Sequence, residues 1–275
     1  MERYIPKALL DARLTLLESG QVFHWAATER GICGVSGGRF ARLEERDGGY
    51  ALRCEEGDRA FWRNYFDLGR DYGALLGACA HPLAARAVSL LPGLRVLNQP
   101  PWEALVAFIL SANNNVARIR RLVLGLCGAL GEPAGDSGMK GFPTPERLAE
   151  AGEAALRNLG CGYRAPYLIG AARMVADGFP LDSLRGLPYE EALKLLVQLP
   201  GVGEKVADCA LLFGCGHASA FPVDVWVERL MRGWFRVEAK NRREIGAAGR
   251  AMFGPEAGRL QQYLFHCARL GLIPL

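Results

Sequence analysis

The chain has 275 residues, with 33 Lys and Arg against 29 Asp and Glu, for a formal net charge of +4. That length allows one large domain or two modest ones, and half of the residues are hydrophobic, enough for a sizeable core. No apolar run reaches the roughly 18 residues that a membrane helix needs, and the start Met1-Glu2-Arg3-Tyr4 carries no apolar export segment.

The mild basic excess suits a polyanionic partner without demanding one. Only five basic residues are lysines, Lys7, Lys140, Lys194, Lys205 and Lys240, so a lysine inside a motif stands out. Eight cysteines stand at 33, 54, 79, 127, 161, 209, 215 and 267 with no CxxC pair, which speaks against zinc. No compact four-cysteine run lies near the C-terminal end, which speaks against an iron–sulfur cluster. The thiols are read as reduced and the protein as intracellular.

In chain order, the runs 21–25, 31–35, 38–43 and 50–54 are short and separated by turn signals such as Gly37-Gly38 and Asp47-Gly48-Gly49. They predict an antiparallel β meander. The segments 71–80 and 82–91 read as helices, and Asn98-Gln99-Pro100-Pro101 as a linker. Beyond it, 102–112, 116–130, 144–158, 165–177, 189–198, 204–213, 224–234, 243–253 and 255–270 carry apolar residues at three- and four-residue spacing. The fold class is therefore α+β: an N-terminal sheet domain over 1–97 and a helical body over 98–275.

The most telling stretch is Leu199-Pro200-Gly201-Val202-Gly203, set between the helical runs 189–198 and 204–213. Two glycines around one apolar residue allow a tight turn with exposed amide groups. The helix that follows adds its positive end, and together they make a seat for a DNA phosphate. Taken alone, Gly-Val-Gly is equally an ordinary helix–helix turn. Lys205 falls in the first turn of the second helix. It is either a solvated surface lysine or an amine nucleophile, whose charge burial and the helix end would both disfavour. Cys209, four residues on, shares its helix face. Asp224 reads as a helix N-cap, a place compatible with stabilising a cationic sugar as a glycosidic bond breaks.

These residues, in order with Gly20-Gln21-Val22-Phe23-His24-Trp25, Ser111 to Ile119, Gly141-Phe142-Pro143, Gly160 to Ala165 and Gln261 to Phe265, run over nearly the whole chain. The pattern resembles the helix–hairpin–helix–Gly/Pro/Asp DNA glycosylases, and among them the 8-oxoguanine DNA glycosylases of eukaryotes and some bacteria and archaea. The resemblance implies a bifunctional glycosylase and abasic-site lyase acting on double-stranded DNA that contains 8-oxoguanine. It implies that Lys205 is the Schiff-base lysine and Asp224 the essential aspartate. The Gly20 carbonyl would accept the N7–H that only the oxidised base offers, Cys209 and Phe265 would sandwich that base, and Gln261 would read its edge. Asn113 would fill the gap in the stack, Tyr163 wedge the duplex, and Arg118 and Arg164 read the cytosine left behind. Gly201, Val202 and Gly203 would hold the backbone, and the carbonyls of Val197, Leu199 and Val202 a cation. No other cofactor is implied, and a monomer is expected.

Trp226 departs from the pattern, which in eukaryotic members has histidine there. Asp208 matches a family aspartate and is read as structural. Two other readings stay open: a helix–hairpin–helix module without chemistry, and a glycosylase for another damaged base.

Overall fold

The computed structural model describes residues 3–77 and 81–274. The end of the expected helix 71–80, with Cys79, lies outside the described residues. Five strands, β1 (Arg3–Pro6), β2 (Trp25–Thr28), β3 (Gly31–Ser36), β4 (Arg39–Arg46) and β5 (Gly49–Cys54), form one antiparallel sheet in the order β1-β5-β4-β3-β2. Tight turns at Gly37-Gly38 and Asp47-Gly48 set the register, Ser36 facing Arg39 and Arg46 facing Gly49. Ile5, Trp25, Ala41, Leu43 and Leu52 pack on α1 (Arg59–Tyr65) through Trp62, Tyr65 and Phe66. Trp25 Nε1–H donates to the Tyr65 hydroxyl at 3.0 Å inside this aromatic layer.

The meander is as expected in kind and differs in detail. The expected run 21–25 forms no strand until Trp25. Its residues serve two cores instead, Val22 the sheet core and Phe23 the helical one. The Gln21 side chain replaces ladder partners by taking the Leu97 N–H at 2.8 Å and donating to the Arg95 carbonyl at 2.7 Å. Neither β1 nor α1 was expected.

The helical part has two further cores. One is built by α4 (Pro101–Leu110), α5 (Val116–Leu130), α6 (Pro145–Asn158), α7 (Ala165–Ala176), α8 (Tyr189–Leu196) and α9 (Glu204–Phe213). The other joins α2 (Tyr72–Gly77) and α3 (Pro82–Leu90) to α10 (Val225–Gly233), α11 (Arg242–Phe253) and α12 (Ala257–Leu270). Tyr72, Ala84, Ala87, Leu91 and Leu94 thus lend side chains to the core of the last three helices.

Helix α4 ties these parts together and is buried from Glu103 to Leu110. Near its start, the Glu103 carboxylate accepts the Gly37 N–H at 2.7 Å and the Ser36 hydroxyl at 2.5 Å, both from the β3–β4 turn. Its end, capped by Ser111, reaches the cleft between the two helical cores. Among the described residues, no helix is long and apolar enough to cross a membrane.

Candidate active site in the interlobe cleft

A cavity of about 780 Å³ opens between the two helical cores. The hairpin before α9 sets one wall. Gly201 has φ +77°, and a Cβ there would stand 2.6 Å from Tyr167 Cβ, so only glycine fits the turn. The Val202 N–H closes the turn on the Leu199 carbonyl at 3.1 Å. Gly203 then starts α9 and brings Lys205 into its first turn.

Lys205 is half-buried, and its Nζ donates to Ser111 Oγ at 3.0 Å. The same nitrogen lies 5.2 Å from the centre of the Phe108 ring. Cys209 follows one turn later. Burial pushes its thiol up to about 12, against the pull of the Lys205 charge, so it stays a neutral, polarisable wall. Asp224 caps α10 as expected, its Oδ1 accepting the Val227 N–H at 2.8 Å, and it lines the same cavity.

The opposite wall comes from the Gly20 loop and α12. Gly20 has φ +75°. Its neighbours are pinned, since Gln262 donates to the Ser19 carbonyl at 3.0 Å and Arg269 to that of Glu18. Gln261 is only 5% exposed; its amide nitrogen donates to the Pro222 carbonyl at 3.1 Å, while its Oε1 has no partner among the described residues. A buried amide oxygen without a donor is a ready acceptor for a group brought next to it. Phe265 lies one turn along the same helix.

Gly20, Asn113, Gly201, Gly203, Lys205, Cys209, Asp224, Gln261 and Phe265 therefore line one cavity. Asn113 is exposed at its rim with φ +47°, a conformation asparagine tolerates. The other expected residues lie outside the lining. Val202 is buried in the hairpin. Arg118 is exposed on the first turn of α5, where Asn115 caps its N–H at 3.0 Å. Tyr163 is 48% exposed and its hydroxyl donates to the Ala112 carbonyl at 3.1 Å. Arg164 is 3% exposed, and its guanidinium donates to the carbonyls of Ala112 and Asn113, the first at 2.9 Å through Nε. It holds the Asn113 loop from inside.

Trp226 lines the cavity, with the Arg229 guanidinium 5.6 Å from its ring. Asp208 accepts the Tyr189 hydroxyl at 2.7 Å, and burial pushes its carboxyl up to about 6. It borders a second cavity of about 330 Å³ that shares Glu204, Lys205 and Arg242 with the first. Two residues at the site were not singled out from the sequence. Ser111 meets Lys205 only through the fold, 94 residues away. Arg269 had a signal, its place four residues after Phe265 on one helix face. Among the described residues no cluster of His, Cys, Asp and Glu is arranged to hold a metal ion.

The helix–hairpin–helix seat, the lysine and the capping aspartate define a class. Residues 106–253 match the HhH-GPD superfamily base excision DNA repair protein model, and the chain belongs to that superfamily. Residues 4–105 match the 8-oxoguanine DNA glycosylase N-terminal domain. The N-glycosylase/DNA lyase OGG1 of Arabidopsis thaliana is 31% identical over 96% of this chain and 80% of its own. The N-glycosylase/DNA lyase of Saccharomyces cerevisiae is 39% identical over 54% of this chain, an alignment that spans 43% of the yeast protein. The Clostridium acetobutylicum 8-oxoguanine glycosylase/lyase, solved with double-stranded DNA containing cytosine opposite 8-oxoG, superposes with a TM-score of 0.90. It is 30% identical and matches over 99% of both chains. Within the superfamily the chain is of the 8-oxoguanine glycosylase type.

Proposed function

We propose that this protein removes 8-oxoguanine from duplex DNA, preferring cytosine opposite the lesion, and then cuts the strand at the abasic site. The observation that carries the reading is the meeting of Lys205, Asp224 and the Gln261 amide group in the lining of one cavity large enough for a base. The base must leave the helix to reach it, because the glycosidic bond is inaccessible in the stack.

The Lys205 amine attacks C1′ of the sugar. The C1′–N9 bond breaks and its electron pair leaves with the base. Opening of the sugar ring gives the Schiff base, and loss of the C2′ proton expels the 3′ phosphate by β-elimination. The Asp224 carboxylate stabilises the positive charge on the sugar during the first step. The Gly20 carbonyl accepts N7–H of 8-oxoguanine and repels the bare N7 of guanine, a difference of about 1–3 kcal/mol for a buried pair. Cys209 and Phe265 hold the base faces and Gln261 its edge.

Asn113 fills the vacated stack and Tyr163 wedges the duplex. Arg118 and Arg164 read cytosine, Arg164 after its guanidinium turns from the Ala112 and Asn113 carbonyls. Gly201, Val202 and Gly203 seat a phosphate. The carbonyls of Val197, Leu199 and Val202 suit a hard cation, with Leu199 O also engaged by the Val202 N–H. The protein would act as a monomer inside the cell, with residues 1–97 as the sheet domain and 98–275 as the helical body.

Borohydride trapping tests the reading on duplexes with 8-oxoguanine opposite each of the four bases. An adduct strongest opposite cytosine is expected. Its persistence in Lys205→Gln would remove the lysine as nucleophile, and full excision by Asp224→Asn would remove the aspartate.

A further inference from the structure

Three charged side chains in the cavity wall, Glu204, Arg242 and Arg269, have no part in the steps above, and of these Arg269 borders the residues assigned to the base. Arg269 stands on the last turn of α12, and its guanidinium carbon is 5.6 Å from the centre of the Phe265 ring. Its Nη2 donates to the Glu18 carbonyl. Its Nη1 lies 3.4 Å from the point where a Cβ on Gly20 would stand. Half-burial draws its pKa down and the charges of Glu18 and Asp224 draw it up, and a guanidinium remains charged throughout the working pH range. A positive charge is thus fixed between Gly20 and Phe265, the two residues assigned above to hold the base.

We propose that Arg269 is a further catalytic residue, whose guanidinium stabilises the negative charge that gathers on the departing base. The inference rests on the excision chemistry proposed above. When C1′–N9 breaks, both electrons stay on N9. The sugar becomes cationic and the base anionic until solvent protonates it. Asp224 and Arg269 line the same cavity, so the two charges that separate each meet an opposite one. Such fixed charges act strongly because a cavity filled by the base holds little water to screen them. The commitment of Nη2 to Glu18 keeps the guanidinium in place before the reaction, so no reorganisation accompanies bond breaking.

The role separates the two activities. Excision generates an anionic base, whereas strand cutting at a preformed abasic site has no base to expel. Arg269→Met keeps a straight apolar stem and removes the charge. In single-turnover assays, excision from an 8-oxoguanine–cytosine duplex should fall about a hundredfold, the lower end of what losing one preorganised donor costs. Cutting of a duplex with a preformed abasic site should stay within about twofold. Arg269→Lys, which keeps the charge, should retain more excision than Arg269→Met. Parallel loss of both activities in Arg269→Met would overturn the proposal by showing a structural role, as would unchanged excision. Absence of excision by the wild-type protein would overturn the lesion assignment and this inference together, whereas equal excision by wild type and variant would overturn this inference alone.

Discussion

Lys205 Nζ and Ser111 Oγ are 3.0 Å apart, a hydrogen bond that joins the first turn of α9 to the C-terminal cap of α4. The serine hydroxyl donates its own proton to the Phe108 carbonyl at 2.7 Å, so it faces Lys205 only as an acceptor. The Phe108 ring, stacked on Phe213 at 5.3 Å, lies close to the same nitrogen. The amine is therefore aimed by two groups of one buried helix.

Ser111→Ala should slow single-turnover trapping about tenfold, the effect of losing about 1.4 kcal/mol of positioning, near the upper end of what one neutral hydrogen bond contributes. Ser111→Thr retains the hydroxyl and should retain the rate. Equal rates for Ser111→Ala and wild type would show that the hydroxyl does not position the lysine, and equal loss in both variants would point to packing.

The two arginines assigned to the orphaned cytosine should behave differently. Arg118 is exposed, and its backbone N–H is held by the Asn115 cap. Arg118→Ala should flatten the preference for cytosine and leave the melting temperature within about 1 °C, as for an ordinary surface change. Arg164 is buried and holds the Ala112 and Asn113 carbonyls. Arg164→Ala strands the Asn113 carbonyl, leaves the Ala112 carbonyl to the Tyr163 hydroxyl alone, and should cost about 1–3 kcal/mol as well as opposite-base selectivity. Thermal unfolding beside an excision series with each opposite base separates the two cases, and equal melting temperatures for both variants would contradict the buried placement of Arg164.

These contrasts show which parts of the site are legible in a sequence. The hairpin is legible because its demand is local: Gly201 must adopt a positive φ against Tyr167, and Lys205 and Asp224 sit at fixed places on helix starts. Helix α1 is not, because Trp62, Tyr65 and Phe66 are placed by packing on Trp25, far away in sequence. The run 21–25 is short and largely apolar and so reads as a strand, yet Val22 and Phe23 are shared between two cores. The burial of Arg164 and the contact of Ser111 with Lys205 depend on how α4, α7 and α9 converge, which no spacing encodes.

Gly20 combines conformation and contact. An alanine there would adopt φ +75° at a cost of about 1–2 kcal/mol, with its Cβ 3.4 Å from Arg269 Nη1. Gly20→Ala should lower the melting temperature by several degrees. It should also narrow the preference for 8-oxoguanine over guanine, since the loop that presents the Gly20 carbonyl is displaced. Calorimetry and paired excision assays on the two bases check both effects, and an unaltered preference would free the carbonyl from its assigned role.

The buried contact between the sheet and α4 sets a pH dependence with a definite sign. Burial pushes Glu103 up to about 7 and His24 down to about 3, so their 3.6 Å contact is not an ion pair at neutral pH, where the imidazole is uncharged. For Glu103 the folded state binds its proton more tightly than the unfolded chain does. Its stability is complete below about pH 4.5 and is lost as pH rises through about 7, by about 3 kcal/mol over that window. His24 works in the other direction, its stability being complete above about 6.5 and lost as pH falls toward 3. Glu103→Gln cannot ionise, yet it can still accept the Gly37 N–H and donate to Ser36 Oγ. The difference in melting temperature, variant minus wild type, should therefore rise between pH 5 and pH 8, while the loss of stability below pH 5 persists in both proteins. A difference that stays constant across that range would mean that Glu103 is already ionised in the folded protein, with the Ser36 and Gly37 donors sufficient to hold its charge.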